Sequence, residues 1–476
     1  MNAENYMEGL VLSTKNRAGE EIQYSIWTVE KKRIADFTSS IQFEPGDGIT
    51  AHDEGSVLHT VDVSSGTLIK KEYEKWANSI VDKTAGMKPY VSGIEGLDIT
   101  TEKMWKKLLG CGSLFLKKIA GAAPVIVRFH NDADGAGGAY GLFAGITDFM
   151  AKNGFDDTKS SIIWIMHTGI AYNRYDAESD LMLSRGYSSL EKPLLVLVDF
   201  GTSLESNDGI ETLHDDFDVI WLDHHPIVEG FEGLKFDCYV NPWMNGGDSN
   251  YTAGYLACTF AKTFSNQNTL AMEGASLIGD YSRFAAETQN GADLSILLDM
   301  LTSDAKVALG PAVTGITPYE IDKIISNPGR MSELVSYAKM RLSESISDAL
   351  LQVKKYNAND AKIYVLDFED VKSEETRYPL PGRFSSKFLE TLSEMEGSAP
   401  IVVVHSGRYI SIRVDRKLSE RMDLAEVLQE LKETDEEAIE AAGGHRMASG
   451  IKLSSLEDKN RVVKDLVSVL KRNLEK

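Results

Sequence analysis

Three short, mainly apolar runs in the middle of the chain each stop at acids or imidazoles, and few folds accommodate that pattern. Val219-Ile220-Trp221-Leu222 leads into Asp223-His224-His225-Pro226. Residues 125–129 lead into His130-Asn131-Asp132-Ala133-Asp134-Gly135, and residues 194–198 into Asp199-Phe200-Gly201. Runs this short and continuous read as strands buried on both faces, and Pro226 stops the ladder of one of them. A further run at 161–166 and helical patterns between the strands, such as residues 137–152, complete a strand–helix alternation. That alternation predicts an α/β fold with a parallel sheet covered by helices on both faces. In such sheets ligands sit beyond the carboxyl ends of the strands, where these acids and histidines fall.

Carboxylates and imidazoles gathered at strand ends are costly to keep unless something binds them. A divalent cation is the economical partner, since this donor mixture suits Mn, Zn, Fe or Co. Asp132 and Asp134 lie two residues apart on what reads as an extended segment, so both side chains are expected on one side, one for each of two ions. Asp199, ending a central strand, is placed to bridge them. His224 offers a neutral nitrogen to the second ion, and His225, turned the other way, suits a phosphate or supporting role. Leu277-Ile278-Gly279-Asp280 brings a further acid. Two divalent ions about 4 Å apart can bind a phosphodiester and acidify a water, and no Ser–His or Cys–His arrangement offers a protein nucleophile instead. Taken singly, each acid could be a helix cap or a turn residue, and Asp280 stands farthest from the dense cluster. His167 and His214 read as structural or surface groups. Asn241-Pro242 and residues 249–254 read as a turn and a helix N-terminus, which serves an anion or plain capping equally well.

At 476 residues the chain is long enough for several domains with their own cores. Residues 1–75 alternate apolar and polar positions around Pro45-Gly46-Asp47-Gly48, which predicts a β-rich domain, an OB-like barrel being one candidate. Its Tyr24, Trp27 and Phe37 fit a core better than a base-stacking platform. Residues 76–285 carry the sheet with leading helices, residues 286–360 read as a helical linker with one long helix over 333–356, and residues 361–476 mix strand and helix again. That last lobe holds Gly443-Gly444-His445-Arg446, where glycines would let a backbone meet an anion closely. Arg413 is a further phosphate candidate, and a tight turn with a solvated His and Arg is the plain alternative.

The formal net charge of -22 argues against indiscriminate binding of nucleic acid over the whole surface, though a local basic groove or bound cations could still hold phosphates. No apolar run is long enough to span a membrane. The first residues lack the pattern of a signal peptide, and Cys111, Cys238 and Cys258 lie far apart without metal spacing, so a reduced cytoplasm is expected.

As a set, these motifs resemble the DHH phosphoesterase family, whose triplet stands here as Asp223-His224-His225. The first family motif matches His130-Asn131-Asp132-Ala133-Asp134-Gly135, the second Asp199-Phe200-Gly201, and the fourth ends at Asp280. The C-terminal lobe resembles the associated DHHA1 domain, with Gly443-Gly444-His445 as its signature. The resemblance spans residues 120 to 475 and implies a Mn²⁺- or Mg²⁺-dependent phosphodiesterase. It implies His130, Asp132, Asp134, Asp199, His224 and Asp280 as metal ligands, His225 as a substrate or supporting contact, and Arg413, Gly443, Gly444, His445 and Arg446 as phosphate holders. Order and length are most similar to the archaeal RecJ-like exonucleases, which implies single-stranded DNA or RNA as substrate, a place in replication or repair, and the GINS complex as a partner. Within the same resemblance, an oligoribonucleotide or cyclic-dinucleotide phosphodiesterase and a replication scaffold with secondary activity are the competing readings.

Overall fold

The structure, a computed structural model, describes residues 6–16, 21–54, 57–64, 66–155, 161–169, 171–213, 215–227, 231, 238–285, 291–313, 315–396, 399–444 and 446–475. The chain forms two compact units. One comprises residues 1–298 with 315–328, the other residues 299–314 with 329–476.

The N-terminal alternation builds a barrel from β1 (Tyr6–Asn16), β2 (Ile22–Thr28), β3 (Arg33–Ser39), β4 (Gly48–Glu54) and β5 (Val57–Ser64). β1 pairs antiparallel with both β2 and β4, and β3 meets β5 in parallel at Thr38 and Val57, which closes the ring. A closed five-stranded barrel is the architecture of OB-type domains. Val11, Tyr24, Ile26, Phe37 and Ile49 fill its interior. The buried Tyr24 hydroxyl donates to the Ile41 carbonyl at 2.8 Å, and Trp27, also buried, packs on Tyr73 and Trp76. All three aromatics named from the sequence are therefore core.

Two helices follow, α1 (Thr67–Val81) and α2 (Glu95–Ala120), and then the alternating layer. It runs β6 (Val125–His130), α3 (Ala133–Lys152), β7 (Ile162–His167), α4 (Arg174–Ser184), β8 (Tyr187–Ser189), β9 (Leu194–Val198), α5 (Leu204–Leu213), β10 (Asp218–Leu222) and β11 (Cys238–Val240). The short β8 does not join this layer's sheet. It pairs with β1, Ser189 opposite Ser13, and so extends the barrel's own sheet. The remaining strands form an all-parallel sheet in the order β11-β10-β9-β6-β7. Chain direction across this sheet reverses between β6 and β9, so the helices leaving them diverge and open a crevice there. α6 (Ala253–Ala261) and α7 (Leu270–Gly279) then pack on α3.

The second unit is reached through α8 (Ala292–Ser303), α9 (Lys306–Leu309), α10 (Pro318–Ile325) and α11 (Pro328–Gln352). The long helix stops at Gln352, short of the expected end at 356. Residues 354–358 form β12 (Lys354–Ala358) instead, a hairpin arm against β13 (Ala361–Asp367). Asn359, with φ of 52°, supplies the left-handed turn, and the ladder outweighs a helical apolar spacing that ended in β-formers. The sheet continues through α12 (Pro381–Glu396), β14 (Pro400–Ser406), β15 (Tyr409–Val414), α13 (Arg416–Ser419), α14 (Leu424–Thr434), β16 (Ile439–Gly444), β17 (Ala448–Leu453) and α15 (Lys459–Glu475). Its order is β12-β13-β14-β15-β17-β16, with β13 and β14 as its parallel pair. Helices α14 and α15 cover one face with Leu428, Leu431, Leu466 and Leu470.

The three cysteines do not all stay apart. Helix α2 and strand β11 bring Cys111 and Cys238 to a Cα separation of 5.6 Å, where they form a disulfide, and Cys258 remains free and buried. Spacing along the chain could not reveal this pair, because the two residues are 127 positions apart and meet only through the sheet order.

Candidate metal centre

The crevice at the reversal point is lined by the ends of β6, β9 and β10, and three groups of potential ligands converge on it. One is His130, Asp132 and Asp199; a second is Asp134, His224 and Asp280; a third is Asp199, His224 and His225. In each group one ligand atom per residue lies within 4.8 Å of the others. Asp199 and His224 each belong to two groups. The two oxygens of Asp199 face opposite ways, Oδ2 standing 3.5 Å from His130 Nδ1 and Oδ1 standing 3.4 Å from His224 Nε2. Asp199 has a φ of 66°, and an Asp is among the few residues that take this left-handed conformation readily. Its amide still donates to the Leu222 carbonyl at 3.0 Å, so the chain turns off β9 at this residue.

His224 is oriented by its other ring nitrogen. Nδ1 lies 2.7 Å from the Ser249 carbonyl, an acceptor, so Nδ1 carries the proton and Nε2 is left toward the acids. Nε2 stands 3.7 Å from Asp134, 3.4 Å from Asp199 and 3.5 Å from Asp280. Asp223 is fully buried and, among the described residues, belongs to no ligand group. Its Oδ1 instead holds His225 Nδ1 at 2.8 Å, so the triplet offers two ligand candidates, His224 and His225, the second oriented by its own carboxylate.

The two acids of the first motif do not share one face. Ala133 already begins α3 because Asp132 caps it, its Oδ1 accepting from the Gly135 amide at 2.9 Å. Its Oδ2 meets His130 Nδ1 at 2.7 Å, so capping and ligand placement coexist in one side chain. Asp134, in the first helical turn, points instead to the N-terminus of α6. There the amides of Ala253 and Gly254 donate to its two oxygens at 2.8 and 2.9 Å, and Ser276 adds a hydroxyl. The helix start read from residues 249–254 thus receives an anion from within the chain, favoured by the helix dipole. Only glycine fits at 254, where a Cβ would lie 2.5 Å from the Asp134 carbonyl.

Asn241 reads from the sequence only as a turn residue, yet it fixes the triplet. Buried at the end of β11, its amide nitrogen reaches His225 O at 3.0 Å, Tyr239 Oη at 2.9 Å and Asp223 Oδ2 at 3.3 Å. Nothing in its spacing predicts this, because β11 joins the sheet after a long connection. Asn241→Ala should weaken Mn²⁺ binding about tenfold while leaving the fold intact. Calorimetric titration with the ion, beside a thermal melt, checks it, and unchanged affinity would remove Asn241 from the support of the site.

His167 pairs with His130 across β6 and β7, but its imidazole packs at a tilt against Phe200 and faces Asp176 at 3.4 Å, outside the three ligand groups. His214 and His445 lie outside the described residues. In the second unit Arg413 and Ala448 are opposite one another on β15 and β17, and Gly444 is opposite Ser449 on β16 and β17. Gly444 has φ of 140° and its Cβ would strike Ser449, so this glycine serves close strand pairing, while Gly443 faces open space. The Arg413 guanidinium donates to Ser386 Oγ at 2.9 Å, and the exposed Arg446 stands 3.6 Å from Asp423.

Burial by itself would lower the pKa of His130 and His224, but Asp132 beside the first and Asp280 beside the second outweigh it and raise both well above the usual range. Burial and the Asp199 charge push Asp134 up, whereas hydrogen bonds and charge from both imidazoles hold Asp199 down despite its burial. The donor set, neutral imidazole and carboxylate oxygen, fits a transition-metal or Mn²⁺ ion. Such an ion must displace protons from these imidazoles. Mn²⁺ affinity should therefore rise with pH, with protons released on binding. Calorimetry in two buffers of different ionisation enthalpy reads that release, and equal heats in both would contradict it.

No protein-family model matches the chain. It is 24% identical over 426 residues to an uncharacterized protein of Methanocaldococcus jannaschii, covering 78% of this chain and 54% of that protein. The chain thus spans about half the length of the curated relative it matches. Among solved structures it resembles the DHH domain of a protein described as a member of a ribosomal-protein family, with a TM-score of 0.69 at 19% identity, over 85% of this chain and 98% of that one. It also resembles RecJ of Thermus thermophilus in complex with Mn²⁺, with a TM-score of 0.50 at 14% identity, over 78% of this chain and 55% of that one.

Proposed function

We propose that this chain, which has the DHH/RecJ-like fold, is a metal-dependent phosphodiesterase that removes mononucleotides from an end of single-stranded nucleic acid. The observation that carries the reading is Asp199, a buried carboxylate whose two oxygens face two separate ligand groups. His130, Asp132 and Asp199 would hold one divalent ion, and Asp134, His224 and Asp280 the other. RecJ, whose fold this chain shares, is seen with Mn²⁺, and Mn²⁺ is the ion we favour, with Mg²⁺ as the substitute.

When bound, two such ions supply positive charge for a phosphodiester and acidify a water. The chain's own residues do the rest. Asp134, fixed at the α6 N-terminus, and His224, fixed by Ser249, need no reorganisation on binding. His225 is the more exposed imidazole of the triplet. Burial opposes its protonation, but the Asp223 carboxylate outweighs that and raises its pKa, so His225 can hold a proton and donate it to a phosphate oxygen. Arg413 and the strand around Gly444 are the candidate phosphate holders of the second unit.

The test is purified protein with Mn²⁺ on DNA and RNA strands labelled separately at each end. Mononucleotides from one labelled end support the reading and fix its polarity. Cleavage confined to strands of a few nucleotides, or to cyclic dinucleotides, would replace it with the short-substrate reading. A replication scaffold that binds GINS is separated by Asp199→Ala, which in a scaffold removes hydrolysis but keeps partner binding and the role in the cell.

No helix among the described residues is long and apolar enough to cross a membrane.

A further inference from the structure

The second unit contains a cavity that the metal centre and the glycine signature leave unused. It measures about 380 Å³ and lies where the parallel strands β13 and β14 end, beneath α15. Carboxyl ends of parallel strands are where α/β layers usually place ligands. Asp367 and His405 are opposite one another there, in register.

The charge of the lining points to an anion. Lys354, Lys464 and Lys471 all line the cavity, in a chain whose formal net charge is -22. Neither Lys354 nor Lys464 has an acidic partner among the described residues, and Lys471 stands over the Tyr356 ring at 5.4 Å. Asp367 also lines the cavity but is already engaged by Lys459 at 2.8 Å. Asp370 is the one other acid of the lining among the described residues, so the ammonium groups outnumber the free carboxylates.

His405, only 8% exposed, also lines the cavity, its Nδ1 turned to Asp367 Oδ2 at 3.5 Å. Three ammonium groups around a small, partly open space suit a phosphate, as charge-assisted donors do. The half-exposed Tyr356 ring adds an apolar wall.

We infer that this cavity binds a small phosphate monoester, of mononucleotide size, at a site separate from the metal centre. Nothing in this inference depends on the reaction assigned to that centre.

The experiment is equilibrium dialysis of the full chain in EDTA, with labelled AMP and with labelled inorganic phosphate as probes. Saturable binding is expected, weakened about tenfold or more by Lys464→Ala/Lys471→Ala. Lys464 is exposed and Lys471 half-buried, and neither belongs to the apolar core, so a circular dichroism melt should show the double variant folded. Lys70→Ala, exposed on α1 and outside the lining, should leave binding unchanged. Equal affinity for both probes would mean that the phosphate alone is recognised, and tighter AMP binding would assign the nucleoside to the Tyr356 wall; both outcomes support the site. Absence of saturation up to about 10 mM, or binding that survives the double lysine change, would overturn it.

Discussion

Asp199→Ala should lower metal-dependent hydrolysis by at least about a thousandfold, the largest effect expected of any single change in the chain. Its two carboxylate oxygens reach the two ligand clusters, so its loss removes charge from both at once. The substitution also forces alanine into a φ of 66°, which costs about 1–2 kcal/mol. Asp199→Asn separates the two effects, because asparagine tolerates that conformation and keeps the shape but not the charge. Both variants should show reduced Mn²⁺ stoichiometry by calorimetry and the same loss of rate. If Asp199→Asn kept its rate within about tenfold of the parent, a bridging role for this carboxylate would be untenable.

Asp180→Ala should be the most destabilising change outside the centre, by about 3–5 kcal/mol. Arg128 lies on β6 two residues before His130, and its guanidinium is buried against Asp180 through contacts of 2.7 and 2.9 Å. Tyr172 donates its hydroxyl to the same carboxylate at 3.0 Å, and Asp176 stands 3.3 Å from the guanidinium. Removing Asp180 leaves a buried cation short of its main partner, and that uncompensated charge, rather than the lost attraction, sets the cost. Arg128→Met/Asp180→Leu removes both charges and should recover most of the loss. Urea unfolding of the three proteins checks the pattern, and a double variant as weak as the single one would mean that shape, not charge, holds this corner.

Much of the candidate centre's geometry was legible because burial on both faces forces the strands to be short apolar runs, and an acid after such a run stands out. His130, Asp132, Asp134, Asp199, His224 and Asp280 all reach one crevice. What could not be read was anything set by contacts between distant segments. The strand order that puts β6 beside β9, the disulfide across 127 residues and the grip of Asn241 on Asp223 all arise from packing. The shared face expected for Asp132 and Asp134 failed for a local reason. Asp132 caps α3, and a capped segment is helical where an extended one was assumed. The misplaced end of the long helix has a tertiary cause, since β13 offers residues 354–358 a ladder that no helical pattern reveals.

Strand β8 has a practical bearing on anyone trimming this protein. Residues 187–189 hydrogen-bond to β1, so a truncation that began after residue 66 would strip them of their neighbour and uncover backbone donors beside the parallel-sheet layer. Such a fragment is expected to be sticky and poorly soluble however intact its ligands, and expression plans are better served by keeping the first strand than by cutting at the apparent seam.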